Sequence, residues 1–323
     1  MHAIGGRRHV RAARGPVLRR TLLASVVTAG ALALGLSACG STTPAGRPHA
    51  PSSSTSSAAS TTSAPATRAP STTASSATTG TAPAAPTTSL LVYFLRGAYL
   101  GVARVEVPST TAVGKASVDA LLAGPGDAQR AAGLSSAVPA GARLVGLRIS
   151  SGTATADFNA AYATAASPAS ELQRVAEVVF TLTQFPTVSR VLFQVDGVTP
   201  AVFGSGAVDL ARPLGRHDVL GAVPAILLEH PAVGDALHGS LHLTGIANVF
   251  EAQFRAELID GAGHVLVDGP VHASAGSGTW GGFDTTFRFT VRDTTTGTLK
   301  VYARSMKDGS PIDEVDLHLP VGP

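Results

Sequence analysis

The sequence predicts a multidomain chain: an α+β domain with helices on one face of a sheet, then an all-β sandwich, both preceded by a disordered linker. Three observations carry this reading. Residues 41–88 hold 24 Ser or Thr and 7 Pro but no Leu, Ile, Val or aromatic side chain. Residues 89–221 mix apolar strand-like runs with helix-period runs that stop at glycine or proline. Residues 224–321 switch to a two-residue period interrupted by Asp-Gly turns.

Residues 1–38 read as a leader. Arg7, Arg8, Arg11, Arg14, Arg19 and Arg20 form a basic opening, and Thr21 to Leu36 follows without a charge. That apolar run is short for a membrane span, which needs roughly 20 residues, and suits the core of a signal peptide. It ends in Leu36-Ser37-Ala38-Cys39-Gly40, which resembles the bacterial lipoprotein box. The resemblance implies that Cys39 is the lipidation site, carrying a diacylglycerol. Two or more acyl chains hold a protein stably on a bilayer where one does not, so the expected location is the outer face of the cytoplasmic membrane. Arg19-Arg20 is a partial twin-arginine signal preceded by Leu18, and the export route stays open.

Cys39 is the only cysteine of the 323 residues. One thiol excludes a disulfide framework and a cysteine-based zinc site. The formal charge of +3 becomes −3 once the six leader arginines are removed. The basic balance therefore belongs to the leader and is no argument for a nucleic-acid partner.

Residues 39–88, the lipidated cysteine and its tether, cannot bury enough apolar surface to offset chain entropy. As a flexible coil the tether spans about 40 Å, a spacer that lifts the folded part off the membrane.

In residues 89–221, Leu90 to Leu95 reads as a buried strand and Gly101 to Val107 as a second. Lys115 to Ala123 reads as a helix stopped by Gly124-Pro125. Arg143 to Ile149 and Thr153 to Phe158 form a hairpin over Ser151-Gly152. Ser167 caps the longest helix, with Pro168 at its first position and Leu172, Val175, Ala176, Val179 and Thr183 on one face. Val188 to Val195 is a strand turning at Asp196-Gly197.

In residues 224–321, seven strands are expected: Ala225 to Glu229, Ser240 to Gly245, Phe250 to Ile259, His264 to Ser274, Phe283 to Val291, Thr298 to Ser305 and Ile312 to Leu319. Seven short antiparallel strands at this spacing suggest an immunoglobulin-like sandwich, here without a disulfide.

Several stretches then point to families. Val92-Tyr93-Phe94, Leu121 to Pro125, Gly133 to Gly141, Thr181 to Pro186 and Val191 to Gly197 together resemble the GerMN domain of sporulation and spore-germination proteins. Gly245 to Ala252, Gly276 to Phe283 and Ser305 to Ser310 are similar to the immunoglobulin-like domain of bacterial spore germination, a module that commonly follows a GerMN domain. The resemblance implies binding or spacing at the cell envelope and no catalytic set.

The remaining side chains give little chemistry. His238 and His242 would share one face of a strand, but exposed turn residues explain them better than a metal site, which needs three or four convergent ligands. Gly204-Ser205-Gly206 is a turn and not a nucleophile elbow, and Asp157 and Asp196 belong to a strand end and a hairpin turn. Trp280 is expected to pack at a sandwich end. No catalytic, cofactor-binding or metal-ligating residue is expected, no cofactor, and no enzyme activity. The function read from the sequence is a non-catalytic cell-envelope lipoprotein that binds envelope proteins in sporulation, germination or wall-related processes, its self-association left open. The alternative is a module for peptidoglycan or wall glycan, with Trp280, Tyr99 and Tyr162 as stacking residues.

Overall fold

The computed structural model describes residues 85–323; the leader, Cys39 and all but the last four residues of the tether lie outside them. Strand β1 (Thr87–Arg96) begins two residues inside the segment read as tether. It pairs along its whole length with β2 (Tyr99–Pro108), Thr87 opposite Pro108 and Arg96 opposite Tyr99. The apolar run Val92 to Leu95 is buried, as a strand covered on both faces must be.

Helix α1 (Val113–Ala123) stops at Gly124, whose φ of +75° a side chain would disfavour. A short helix α2 (Asp127–Ala131) and the two-residue β3 (Leu134–Ser135) follow, and β3 pairs with the end of β1. Next come β4 (Leu144–Ser150), β5 (Thr153–Phe158), α3 (Pro168–Leu182) and β6 (Arg190–Val195). The first domain thus has two three-stranded sheets, β2-β1-β3 and β4-β5-β6, where one was expected. β5 and β6 run parallel because α3 is the crossover between them.

Helix α3 is capped as expected: Ser167 Oγ accepts the Ser170 N–H at 3.2 Å, with Pro168 at the first position. It departs from the expected one-faced helix, because every residue from Arg174 to Leu182 is buried. Its polar side chains survive burial by serving neighbouring backbone. Thr181 Oγ1 accepts the Tyr93 N–H at 3.1 Å, Glu171 accepts the Ser205 N–H at 2.7 Å and Glu177 accepts the Ala137 N–H at 3.0 Å. Just past the helix, Gln184 bonds both Leu91 N–H at 3.1 Å and Leu91 C=O at 2.7 Å. The edge of β1 beyond β3 is thereby satisfied by side chains instead of a strand. Each fully buried Val, Leu or Phe here contributes about 1.5–3 kcal/mol.

The second domain is a sandwich of a five-stranded and a three-stranded sheet. Its strands are β7 (Ile226–His230), β8 (Leu237–His238), β9 (Ser240–Ala247), β10 (Gln253–Ile259), β11 (Val265–His272), β12 (Gly281–Arg288), β13 (Thr295–Arg304) and β14 (Pro311–Gly322). The orders are β11-β10-β13-β14-β8 and β12-β9-β7. All seven expected strands are present, with β8 added. Phe250 to Ala252 is a correction: the alternation continues there, but Glu251 (φ +53°) and Ala252 (φ +56°) turn the chain into a 3₁₀ turn and leave Phe250 exposed.

Candidate functional site

The two domains meet along a polar seam. After β7 the chain returns beside β2, where Val233 N–H donates to Val102 O at 3.0 Å and Arg104 N–H to Val233 O at 2.8 Å. Asp235 closes this return. It accepts the Ala232 N–H at 2.9 Å, pairs with His230 Nδ1 at 3.1 Å and takes the Arg104 guanidinium through Nε. Burial pushes its carboxyl up, but the hydrogen bonds from His230, Arg104 and Ala232 outweigh this and hold it well below the usual carboxylate range.

A second lock comes from Arg216, in the 3₁₀ segment Arg216–Ala222 that links the domains. It donates to Glu229 of β7 at 2.6 Å and to Thr183 at 2.9 Å, and lies 4.6 Å above the ring of Phe180. Tyr93 of β1 donates to the same Glu229 oxygen at 2.5 Å. Burial, then the Glu229 charge, keeps the phenol protonated far above its ordinary range.

Beside the seam lies a hollow of about 170 Å³ between β2, β7 and β14. Leu100, Val102, Ile226, Leu228 and Leu317 form its apolar walls. Arg96, Glu314 and Tyr99 also border it, Tyr99 being 48% exposed. Arg96 lies at the β1–β2 turn because the apolar run of β1 ends there. Its one hydrogen bond among the described residues goes from Nη1 to the carbonyl oxygen of Asp316. Desolvation, partly offset by the Asp316 charge, lowers its affinity for a proton. Glu314, by contrast, is engaged by Lys300 at 3.2 Å, with Asp316 at 3.8 Å from the same ammonium.

A second hollow, of about 190 Å³, is bordered by Phe250, Met306 and Ile312, which are 50%, 73% and 43% exposed. Glu251, Arg255, Arg304 and Asp313 rim it. Its geometry follows from the positive φ of Glu251, Ala252 and Asp313, which turn the backbone away from regular pairing.

The residues singled out from the sequence are dispersed. His238 ends β8 and His242 lies on β9, in different sheets, because Gly239 (φ +59°) breaks the run; the expectation that both share one strand is corrected. His242 pairs with Asp284 at 2.8 Å, and its ring lies 5.6 Å from that of His230. Among the described residues no group of three or more His, Cys, Asp or Glu converges on a metal position. Asp157 accepts the Gly197 N–H at 2.9 Å and so braces the Asp196-Gly197 turn. Ser205 is held by Glu171. Tyr162 is fully buried, stacked 4.1 Å from Phe158, and is removed from any stacking role at the surface. Trp280 is half-buried against the sandwich core, beside β12. Cys39 lies outside the described residues. Arg96, Arg104, Arg216, Glu229 and Asp235 were not singled out from sequence, and their one local signal is a charge at the end of an apolar strand or next to a turn.

Residues 91–200 match the family described as sporulation and spore germination, and residues 225–310 match the immunoglobulin-like domain of bacterial spore germination. The chain joins a GerMN domain to a spore-germination immunoglobulin-like domain. The seam described above therefore lies between these two domains, and neither family description names an enzymatic activity. Among solved structures, the first GerMN domain of the sporulation protein GerM from Bacillus subtilis is 22% identical, with a TM-score of 0.36, over 41% of this chain and 99% of that one. The tandem GerMN domains of the same protein are 19% identical, with a TM-score of 0.37, over 62% of this chain and 61% of that one. No curated protein matches the sequence.

Proposed function

We propose that this chain is a non-catalytic cell-envelope lipoprotein whose GerMN and immunoglobulin-like domains form one protein-binding body outside the cytoplasmic membrane, in sporulation, germination or a wall-related process. Cys39 carries the lipid and the Ser/Thr/Pro segment is the tether. The observation that supports protein binding is the exposed apolar cluster of Phe250, Met306 and Ile312 around a hollow with a mixed-charge rim. Apolar surface ringed by charge is the usual composition of an interface core and its rim. The polar seam supports a body that presents this surface in a fixed orientation to Arg216 and Asp235.

The test is in-cell crosslinking from a photoreactive residue placed at Met306 in the membrane-anchored protein. The expected result is a discrete crosslink to an envelope protein that Phe250→Ser weakens. Crosslinks absent at Met306, with the protein retained instead by purified wall glycan stripped of protein, would replace this reading with the glycan one.

A further inference from the structure

The hollow between β2, β7 and β14 combines two features that neither domain has alone. Its volume of about 170 Å³ is close to that of an apolar cavity that takes up benzene, about 150 Å³. It therefore has room for one aromatic or branched side chain and falls short of the roughly 300–1,000 Å³ of a drug-sized ligand site. The second feature is Arg96, which itself borders the hollow. A guanidinium has five N–H donors in a fork that matches a carboxylate, and only one donor bond of Arg96 is made, to a carbonyl oxygen. No carboxylate of the described residues forms an ion pair with it, since Asp316 and Glu314 turn to Lys300. Residues 1–84 cannot supply one either, because the first acidic residue of the chain is Glu106.

We infer that this hollow takes the C-terminal residue of a partner polypeptide, an aromatic or branched side chain filling it and the terminal carboxylate lying on Arg96. Because Arg96 is part of the wall, the acid and the apolar group must lie close together, and a C-terminal residue carries both in one unit. Tyr99, which borders the hollow and is 48% exposed, is the surface against which the preceding residues would lie. Lys300 leaves Glu314 partly neutralised, which lowers its repulsion of the incoming carboxylate. This inference rests on the protein-binding reading and names the chemistry of one partner.

The experiment titrates the full-length protein in detergent with a fluorescein-labelled peptide, Gly-Ser-Gly-Ser-Phe, followed by anisotropy. Its C-terminally amidated twin and free phenylacetate are the comparison arms. The acid peptide should bind at least tenfold more tightly than the amide. Arg96→Gln, which keeps a donor for the Asp316 carbonyl, should abolish that preference, and Val315→Trp, at a residue that also lines the hollow, should block binding by filling it. A thermal melt within a degree or two of wild type confirms that each variant is folded. Equal binding of acid and amide, preference retained in Arg96→Gln, or phenylacetate binding as tightly as the peptide would each overturn the inference. So would no binding of any probe; a persistent crosslink from position 306 would then leave the wider protein-binding reading standing.

Discussion

Asp235 and Arg104 join the two domains through an ion pair in which the carboxylate side chain is 6% exposed and the arginine side chain 30% exposed. The same carboxylate also holds His230 and the Ala232 N–H of its own domain, so one side chain satisfies three donors, of which Arg104 lies across the seam. Asp235→Ala removes the acceptor and leaves a buried N–H and a guanidinium without a partner. The expected cost is about 2–3 kcal/mol, a fall in melting temperature of about 5–10 °C. Calorimetry should also resolve two transitions where wild type shows one. The pH sign follows from the lowered carboxyl. The stability Asp235 contributes is complete above its unfolded value near 3.8 and is lost as pH falls through the lower folded value.

Glu177 gives the opposite pH dependence. Burial raises its carboxyl from 4.5 to about 8, against the opposing pull of Ser136, the Ala137 N–H and the Arg174 charge. The folded state holds this proton more tightly than the unfolded one. Its contribution is therefore complete below about pH 4.5, declines as pH rises, and has gone above about pH 8. The slope inside that window is at most about 1.4 kcal/mol per pH unit. Glu177→Gln retains an oxygen for Ala137 and cannot ionise. It should match wild type near pH 4.5 and exceed it in urea denaturation at pH 8. Parallel curves for the two proteins across the window would show that Glu177 does not titrate there.

Features specified by neighbours in the chain were legible in the sequence, and features specified by distant ones were not. Ser167-Pro168, Gly124-Pro125 and Asp196-Gly197 each set a cap or turn with their own backbone, and the structure has all three. The burial of α3 on every side was hidden because the partners of Thr181, Glu177 and Glu171 come from residues 93, 137 and 205. Phe250 continues the alternation of β10, yet the positive φ values of Glu251 and Ala252 carry no glycine to announce them. Arg96 reads as the ordinary charged end of a strand until β14 and β7 come close enough to make it part of a wall.

Cys39→Ser tests the anchor independently of the folded domains. The thioether needs the cysteine sulfur, and two acyl chains give the stable attachment that one does not. The serine variant should appear in the soluble fraction or remain as unprocessed precursor, while wild type stays with membranes through a high-salt wash. An unchanged membrane fraction for Cys39→Ser would remove the lipoprotein reading.

Gly281 and Gly282 are adjacent on β12, yet a side chain has opposite consequences at the two positions. A Cβ at Gly281 would lie 2.2 Å from the Ala275 nitrogen and 2.7 Å from its oxygen, both backbone atoms that cannot swing aside. At Gly282 the nearest atom, the Gly245 oxygen, is 3.9 Å away. Gly281→Ala must therefore move the 275 segment or the start of β12, next to half-buried Trp280. Forced overpacking of this kind costs about 1–3 kcal/mol, whereas Gly282→Ala should stay within about 0.5 kcal/mol of wild type. Chemical denaturation of the two variants side by side reads the difference directly, with the Trp280 fluorescence reporting on the same corner of the sandwich. Equal stability of the pair would mean that the chain does not pass Ala275 as closely as the glycine at 281 requires.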